Sequence, residues 1–311
     1  MAKIIVTGGS GFIGSHLIDH LINDNHEIIC IDNMITGDSK NIAHLKDNPK
    51  LRLIRHDIVD PISLKEKIDY IFHMASPASP IDYMKIPTET LLTGSIGTKN
   101  ILDLAQKNNA RFLLASTSEI YGDPLEHPQK ETYYGNVNSV GPRSCYDEAK
   151  RFAEALTMAY HRKHGTDVVI ARIFNTYGPR MRPGDGRVVP NFITQSLRND
   201  PMTVNGDGSQ TRSLCYITDL IEGLSKLMFS NIQGEAVNLG NPDERTIKEF
   251  ALIIKELTKS NSKITYNDIP EDDPTRRLPD ITKAKRLLDW EPKIDLQSGL
   301  NTTIEYFRKS P

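Results

Sequence analysis

Lys3-Ile-Ile-Val-Thr-Gly-Gly-Ser-Gly-Phe-Ile-Gly14 is the stretch that decides the fold. Its β-branched apolar run predicts a strand, its glycines at GxxGxxG spacing predict a tight turn, and the apolar periodicity that follows predicts a helix. Gly8 permits the turn, Gly11 lets the backbone approach a pyrophosphate, and Gly14 lets the helix pack on the strand. A plain glycine-rich turn is the alternative, but the strand–turn–helix context favours a dinucleotide site at the helix N-terminus.

The next strand, 27–31, ends in Asp32. An acid at this point binds both ribose hydroxyls and repels a 2′-phosphate, so it favours NAD over NADP. Asn33, Thr36 and Gly37 would extend the ribose side. Further along, Asp57 is a candidate to accept the adenine amino group while Ile58 covers the ring, although Asp57 also fits an ordinary loop acid.

Strands and helices alternate through the first half of the chain, and this alternation predicts a Rossmann-like, doubly wound parallel sheet. Residues 1–175 are assigned to an NAD-binding domain. The turn-rich remainder, 176–311, is assigned mainly to a smaller α/β substrate-binding domain whose segments interleave with the first. The predicted strands are 3–7, 27–31, 51–56, 70–74, 111–115 and 167–174.

Composition narrows the function. The 311 residues include 38 Lys+Arg and 40 Asp+Glu, a net charge of -2, which gives no drive towards nucleic acid or an anionic membrane. Three cysteines without a CxxC pattern and histidines without HExxH spacing predict neither disulfides nor a metal site. No apolar run reaches the roughly 18 residues of a membrane span. Because the N-terminus enters a strand at once, we expect no signal peptide and a cytoplasmic protein.

Tyr146 and Lys150 are spaced to share one face of a helix. A neighbouring ammonium lowers the pKa of a phenol, and the first turn of a helix favours negative charge, so Tyr146 is a candidate general base. Pro142 and Ser144 mark the helix start, and Gly165 marks its end. A surface lysine lying over a tyrosine is the alternative for such a pair taken alone.

Hydroxyl and carboxyl side chains follow strand 111–115, where a parallel strand meets the ligand crevice. Thr117 would bind the substrate alcohol beside Tyr146. Glu119 is available for proton transfer, with a solvated loop acid as the alternative. Three later loops, 182–187, 205–212 and 272–277, each contain arginine, which together indicate a polyanionic substrate.

The chain resembles the extended short-chain dehydrogenase/reductase family from residue 3 to about 308. Within that family it resembles the UDP-glucuronic acid decarboxylase branch. The motifs that carry the resemblance are Thr7-Gly-Gly-Ser-Gly-Phe-Ile-Gly14, His73-Met-Ala-Ser-Pro-Ala-Ser-Pro80, Ser116-Thr-Ser-Glu-Ile-Tyr-Gly122, Gly141-Pro-Arg-Ser-Cys-Tyr-Asp-Glu-Ala-Lys-Arg151, Phe174-Asn-Thr-Tyr-Gly-Pro-Arg-Met181, Asp185-Gly-Arg-Val-Val189 and Asn238-Leu-Gly-Asn-Pro242.

This resemblance implies catalytic roles for Tyr146 as base, Lys150 as its partner, Thr117, and Glu119 in decarboxylation and reprotonation. It implies that Asn175, Arg187 and Arg212 hold the UDP group and that Arg277 lies near the sugar carboxylate; Arg182 and Tyr216 complete the substrate set. The cofactor set is Gly8, Gly11, Phe12, Ile13, Gly14, Asp32, Asn33, Thr36, Gly37, Asp57, Ile58, Met74, Ser76, Thr93, Ala115, Tyr146, Lys150 and Thr176.

The implied reaction converts UDP-glucuronic acid to UDP-xylose. Oxidation at C4 makes a β-keto acid, CO2 leaves, C5 is protonated, and C4 is reduced again, so that NAD is regenerated. A UDP-apiose/xylose synthase or a decarboxylase that releases the 4-keto-pentose would use the same residues; another epimerase or dehydratase, or a non-catalytic NAD-binding sensor, is a weaker alternative. Ser118 stands where the related dehydratases carry an acid, which argues against dehydration.

Two positions depart from the family pattern. Gly94 and Leu92 stand where relatives usually have Asn and Lys. The resemblance also implies a homodimer that pairs the helices near 90–108 and 144–163. The apolar residues of the second helix, such as Phe152 and Leu156, fit a monomer core equally well.

Overall fold

The computed structural model describes residues 1–309. In chain order, its strands are β1 (Lys3–Thr7), β2 (Glu27–Asp32), β3 (Leu51–Arg55), β4 (Tyr70–His73), β5 (Arg111–Thr117), β6 (Val168–Ile173), β7 (Thr176–Tyr177), β8 (Met202–Asn205), β9 (Thr211–Ser213), β10 (Cys215–Tyr216), β11 (Glu235–Leu239), β12 (Glu244–Thr246) and β13 (Ile264–Asn267).

The helices cover both faces of the central sheet and build much of the second half. They are α1 (Phe12–Asn23), α2 (Pro80–Lys85), α3 (Pro87–Leu92), α4 (Thr98–Asn108), α5 (Ser144–His164), α6 (Val188–Arg198), α7 (Ile217–Met228), α8 (Ile247–Thr258), α9 (Thr282–Leu288) and α10 (Leu296–Lys309), with 3₁₀ turns at Ser39–Leu45 and Ser118–Tyr121 and a π-helical turn at Thr93–Gly97.

Seven parallel strands form the central sheet in the order β11-β6-β5-β4-β1-β2-β3. The chain moves outward from β1 in one direction and then returns to build the other side, so the strand order reverses between β1 and β4. This is the doubly wound architecture, and it confirms the predicted fold class. A crevice at the carboxyl ends of the strands is the expected ligand site at such a reversal.

Alternate residues of β1 enter two different cores. Ile4 and Val6 pack in the larger cluster with Leu17 of α1, whereas Ile5 packs in the other cluster with Ile101 of α4. Side chains of successive strand residues point to opposite faces, and a parallel sheet covered by helices on both sides buries both sets. The continuous apolar run in the sequence therefore marks a central strand.

The second half of the chain contributes three two-stranded sheets, β7 with β10, β9 with β12 and β8 with β13. It also returns β11 to the central sheet, where β11 pairs with β6 in parallel. A strand from beyond residue 176 therefore completes the first sheet. The boundary at 175/176 itself stays a prediction.

The single helix expected near residues 90–108 is divided in the structure. Helix α3 and helix α4 are joined through the π-helical turn Thr93–Gly97. A Cβ placed on Gly94 would lie 2.7 Å from the Ala149 Cβ of α5 and 2.9 Å from the Ala149 carbonyl oxygen. Glycine at position 94 therefore lets this turn lie directly against α5, one residue before Lys150.

Candidate active site

A cavity of about 690 Å³ opens at the carboxyl ends of the central strands. Loops after β1, β2, β4 and β5 form one end, and residues from the second half of the chain form the other. The predicted residues that line it are Gly8, Gly11, Phe12, Ile13, Gly14, Asp32, Asn33, Thr36, Gly37, Ile58, Met74, Ser76, Thr93, Ala115, Thr117, Glu119, Tyr146, Lys150, Asn175, Thr176, Arg182, Arg187 and Arg212.

The glycine turn forms a cradle that only small residues fit. Gly8 has φ +67°, and a Cβ on it would lie 2.7 Å from the Ala75 Cα. A Cβ on Gly14 would lie 2.2 Å from the Gly8 carbonyl oxygen. Helix α1 begins at Phe12 without a side-chain hydrogen bond to its first turn, so its N–H groups are available to an anion. This geometry fits the pyrophosphate of a dinucleotide.

Asp32 ends β2 beside this cradle. Its Oδ2 accepts from the Ser10 N–H at 2.9 Å and its Oδ1 from the Met34 N–H at 2.9 Å. Burial raises the pKa of Asp32, while these two backbone hydrogen bonds lower it. Each carboxylate oxygen has a second lone pair, so Asp32 can still accept from two ribose hydroxyls. The donor and acceptor set therefore fits an NAD ribose.

Asp57 is not among the residues that line the cavity, and the adenine contact expected for it stays a prediction. Its Oδ2 accepts from the Asn33 amide at 2.9 Å, and its Oδ1 accepts from the Val59 N–H at 2.9 Å. These two hydrogen bonds join the loops that border the cavity. Ile58, the next residue, is the one that lines it.

Helix α5 brings Tyr146 and Lys150 to the cavity, as the four-residue spacing predicts. Tyr146 is the third residue of the helix, and Gly165 with φ +68° ends it. The Lys150 Nζ lies 5.9 Å from the centre of the Tyr146 ring and donates to the Ala115 carbonyl oxygen at 2.8 Å. Both side chains are buried.

The expected lowering of the Tyr146 pKa by Lys150 is not met in the protein alone. Burial raises the pKa of Tyr146, and the neighbouring Thr117 hydroxyl lowers it. Burial also lowers the pKa of Lys150 to about 8, against the opposing charge of Glu154. The Lys150 ammonium is hydrogen-bonded to a carbonyl oxygen and lies 5.9 Å from the centre of the Tyr146 ring, so it is a weaker electrostatic partner than the spacing suggests.

Glu119 is clamped by two guanidinium groups. Its Oε2 accepts from the Arg143 Nη2 at 2.9 Å and from the Arg277 Nη2 at 3.1 Å. Burial opposes ionisation, but Arg277, Arg143 and Arg212 hold the pKa of Glu119 well below its usual range. Both donors use the same oxygen, which leaves Oε1 without a partner among residues 1–309. Glu119 is therefore a fixed carboxylate with one oxygen to offer.

Arg277 is not placed to meet a sugar carboxylate directly. Its side chain is 0% exposed and lies outside the cavity lining. It donates to the Ser118 carbonyl oxygen at 2.8 Å as well as to Glu119. Arg277 therefore supports Glu119 from the protein side, because its Nη1 and Nη2 both donate to protein oxygens, while its buried Nε has no partner among residues 1–309.

Tyr216 also lies outside the cavity lining. Its ring packs against the Tyr177 ring, with 5.5 Å between centres at 64°, and against Gly299. The remaining predicted arginines do line the cavity: Arg187 pairs with Asp185, and Arg182 donates to Asp82 at 2.6 Å.

Sequence reasoning missed several lining residues. Arg143 donates to Glu119 and approaches Asp273 at 3.5 Å, and Arg212 donates to Asp273 at 3.2 Å. Tyr83 stacks on Tyr146. Arg143 lies three residues before Tyr146, a helical spacing that was available as a signal; no local pattern indicated Asp273 or Tyr83.

The arrangement unites a dinucleotide cradle, a buried phenol beside a hydroxyl and a lysine, and a carboxylate fixed by arginines. The phenol can exchange a proton with an alcohol, and the carboxylate can orient a second proton transfer nearby. In residues 1–309, no group of three or more potential metal ligands is found.

Comparisons with known proteins agree with this chemistry. The family model described as GDP-mannose 4,6 dehydratase matches residues 5–303. UDP-glucuronic acid decarboxylase 1 of Arabidopsis thaliana is 56% identical over 306 residues, which are 98% of this chain and 70% of that protein. UDP-glucuronic acid decarboxylase 1 of Xenopus tropicalis is 53% identical over 307 residues, which are 99% of this chain and 72% of that protein.

A solved structure is similar over the same length. UDP-glucuronic acid 4-epimerase from Bacillus cereus, in complex with UDP-glucuronic acid and NAD, superposes with a TM-score of 0.89 at 29% sequence identity. The match covers 99% of this chain and 99% of the epimerase. The similarity therefore includes both ends of the cavity.

Proposed function

Because this chain belongs to the extended short-chain dehydrogenase/reductase family, and within it to the UDP-glucuronic acid decarboxylases, we propose that it is an enzyme that converts UDP-glucuronic acid to UDP-xylose and CO2. One observation carries the proposal beyond similarity. Glu119, held as a carboxylate by Arg143 and Arg277, lies at the same cavity as Tyr146 and Thr117.

NAD is the cofactor. When bound, it supplies reversible hydride transfer, which lets a sugar be oxidised and reduced again without net redox change. The backbone N–H groups at the start of α1 would hold its pyrophosphate, and Asp32 would hold its adenosine ribose. Lys150, with its Nζ between Tyr146 and the Ala115 carbonyl, is placed to bind the other ribose.

Tyr146 acts as the base at the C4 hydroxyl in its phenolate form, which burial disfavours and the Thr117 hydroxyl favours, and Thr117 also positions that alcohol. Removing the hydroxyl proton assists oxidation at C4. The resulting ketone is β to the C6 carboxylate, so CO2 can leave because the electron pair of the broken C5–C6 bond is delocalised into the ketone. The same phenol returns its proton to the C4 oxygen when the ketone is reduced. The C4 hydroxyl proton therefore passes to Tyr146 and returns to the C4 oxygen within one turnover.

The proton that C5 gains must come from a second source. Loss of CO2 leaves an electron pair at C5, and Tyr146 needs its own proton for C4. Glu119 is kept ionised, so it does not store this proton. We assign Glu119 to accept, through the oxygen Oε1 that the arginines leave open, a hydrogen bond from a water molecule that gives its proton to C5, and the hydroxide left behind is neutralised by solvent.

The test is a product analysis. Purified protein is incubated with UDP-glucuronic acid, with and without added NAD, and followed by NMR and by NADH absorbance. UDP-xylose without lasting NADH is the expected result. A 4-keto-pentose with stoichiometric NADH would replace the proposal with an oxidative decarboxylase, and absence of any turnover by NAD-bound protein would overturn it.

We further propose that the protein is a homodimer. The elements α2, α3, the π-helical turn and α5 pack on one another and leave apolar side chains exposed: Met84 is 45% exposed, Leu91 42%, Ile96 44% and Phe152 50%. Pairing these helices with those of a second copy would bury this surface. Light scattering on the protein and on Phe152→Glu tests it, with a dimer and a monomer expected respectively.

A reducing compartment remains a proposal. The thiols of Cys30, Cys145 and Cys215 are free and buried, which fits cytoplasmic conditions. None of the helices in residues 1–309 combines the length and the apolar character that a bilayer span requires.

A further inference from the structure

We infer that Tyr83 is a positioning residue for the general base, an assignment that rests on the proposed role of Tyr146. Tyr83 belongs to the short helix α2, far from Tyr146 in sequence. In the folded chain its ring lies parallel to the Tyr146 ring, with 4.9 Å between ring centres and 4° between planes. Tyr83 is 1% exposed and Tyr146 6%, so the stack is sealed from bulk water.

The stack limits how the base can move. A tyrosine ring turns about two side-chain bonds, and the phenol oxygen at its far end moves most when it does. The Lys150 Nζ also lies over the Tyr146 ring, but it is farther away, at 5.9 Å from the ring centre, and a single ammonium group does not cover the ring face as the parallel Tyr83 ring does. Parallel contact over a whole ring face fixes the plane of the phenol. A fixed plane matters because proton transfer depends steeply on donor–acceptor geometry.

Tyr83 also connects the base to the charged end of the cavity. The Arg143 guanidinium carbon lies 5.9 Å from the centre of the Tyr83 ring, and the same guanidinium donates to Glu119 at 2.9 Å. The Tyr83 backbone oxygen lies 3.5 Å from the Cys145 Sγ, next to Tyr146. The Tyr83 ring thus contacts both Arg143, which binds Glu119, and Tyr146, the proposed base at C4.

The ring, and not the hydroxyl, carries this role. The Tyr83 Oη is buried and has no hydrogen-bond partner among residues 1–309. Burial raises the pKa of Tyr83, so the group stays a neutral phenol. Removing an unsatisfied buried hydroxyl costs little, whereas removing the ring face frees the neighbouring phenol.

Two substitutions separate the ring from the hydroxyl. Tyr83→Phe keeps the stack and should retain kcat within about twofold, since the hydroxyl it removes has no partner. Tyr83→Leu removes the stack and should lower kcat by about 30- to 100-fold, with little change in KM, because the base is misplaced in the bound complex. With C4-deuterated substrate, the isotope effect on kcat should rise in Tyr83→Leu, since the C4 step becomes slower than the rest.

Phe229→Leu is the matched control. Phe229 also stacks, against His26 at 5.5 Å and 13°, but it lies outside the cavity lining. The Phe229→Leu substitution should leave kcat, KM and the isotope effect unchanged. If Tyr83→Leu keeps wild-type kcat, or if Tyr83→Phe loses as much as Tyr83→Leu, the assignment to the ring is overturned.

A second readout does not require turnover of any sugar. The titration of Tyr146 can be followed as the ultraviolet difference between each variant and the same variant carrying Tyr146→Phe. Because burial raises the pKa of Tyr146 in the wild type, Tyr83→Leu should bring it down towards about 10 as water reaches the phenol, and Tyr83→Phe should not. Equal titration in all three would overturn the proposal. A wild type that binds UDP but does not decarboxylate UDP-glucuronic acid would contradict only the proposed function.

Discussion

The two ends of the cavity are built in different ways. At the dinucleotide end, backbone groups of one continuous stretch, Gly8 to Gly14, form the cradle, and at Gly8 and Gly14 a side chain would collide with neighbouring backbone. At the charged end, side chains from distant segments meet: Arg277 and Glu119 are 158 residues apart in sequence and 3.1 Å apart in space. The backbone cradle is therefore determined by a short stretch of sequence. The cluster of charged side chains forms only when the whole chain has folded.

Tyr146 stands where these two regions meet, and replacing it should have the largest effect. Tyr146→Phe should lower kcat by about 10²- to 10⁴-fold, because a general base is lost while the ring and its stack remain. The affinities for NAD and UDP should stay within about twofold, as measured by calorimetry. A variant with near-normal turnover would remove Tyr146 from the mechanism.

Arg277→Met tests the charged end on its own. It removes one of two guanidiniums from a buried carboxylate and should lower the free energy of unfolding by about 3 kcal/mol, as measured in urea. The side chain is 0% exposed, so solvent cannot replace the lost charge. Arg276→Met is the control, since this neighbour is exposed. NAD affinity should be unchanged if the two regions are independent.

Gly14→Ala tests the dinucleotide end in the same way. The new Cβ would lie 2.2 Å from the Gly8 carbonyl oxygen, so the turn or the helix must move. Such overpacking costs about 1–3 kcal/mol, which corresponds to a loss of NAD affinity of about 5- to 150-fold. Gly165→Asn, at a position with open space around it, is the control. Unchanged NAD affinity in Gly14→Ala would contradict the backbone cradle.

The pH dependence of stability should show the smallest effect. The folded-state pKa of Glu119 is lowered, against the opposing effect of burial, by Arg277, Arg143 and Arg212, so its stabilising contribution is present above the unfolded pKa and is lost as the pH falls through the folded one. The stability advantage of the wild type over Glu119→Gln should therefore shrink by about 2 kcal/mol between pH 6 and pH 3. A difference that stays constant over this range would mean that the arginines do not hold the carboxylate ionised.

The fold was predictable from particular local signals. Strand β1 was predicted with its observed bounds, and Gly165 was predicted to end α5, because a continuous apolar run and a C-terminal glycine act through their immediate neighbours. The π-helical turn was not predicted. It reflects the close approach of Gly94 to Ala149, which no window of sequence contains.

In the candidate site, too, some features follow from local sequence and others depend on tertiary packing. The glycine turn and the four-residue spacing of Tyr146 and Lys150 were legible in the sequence, since helical and turn geometry place these groups whatever the rest of the chain does. The pKa shifts of these two residues could not be predicted from the sequence, because burial depends on the packing of the whole molecule. Burial raises the pKa of Tyr146 and lowers that of Lys150 to about 8.

The sequence by itself therefore determined the doubly wound sheet, through its alternation of strands and helices, and the glycine turn and the shared helix face of Tyr146 and Lys150, through local geometry. Only the tertiary structure decided that Arg277 lies behind Glu119, that Arg143 completes the clamp and that Tyr83 covers Tyr146. These contacts join segments far apart in sequence, and their geometry is set by the packing of the sheet and helices between them.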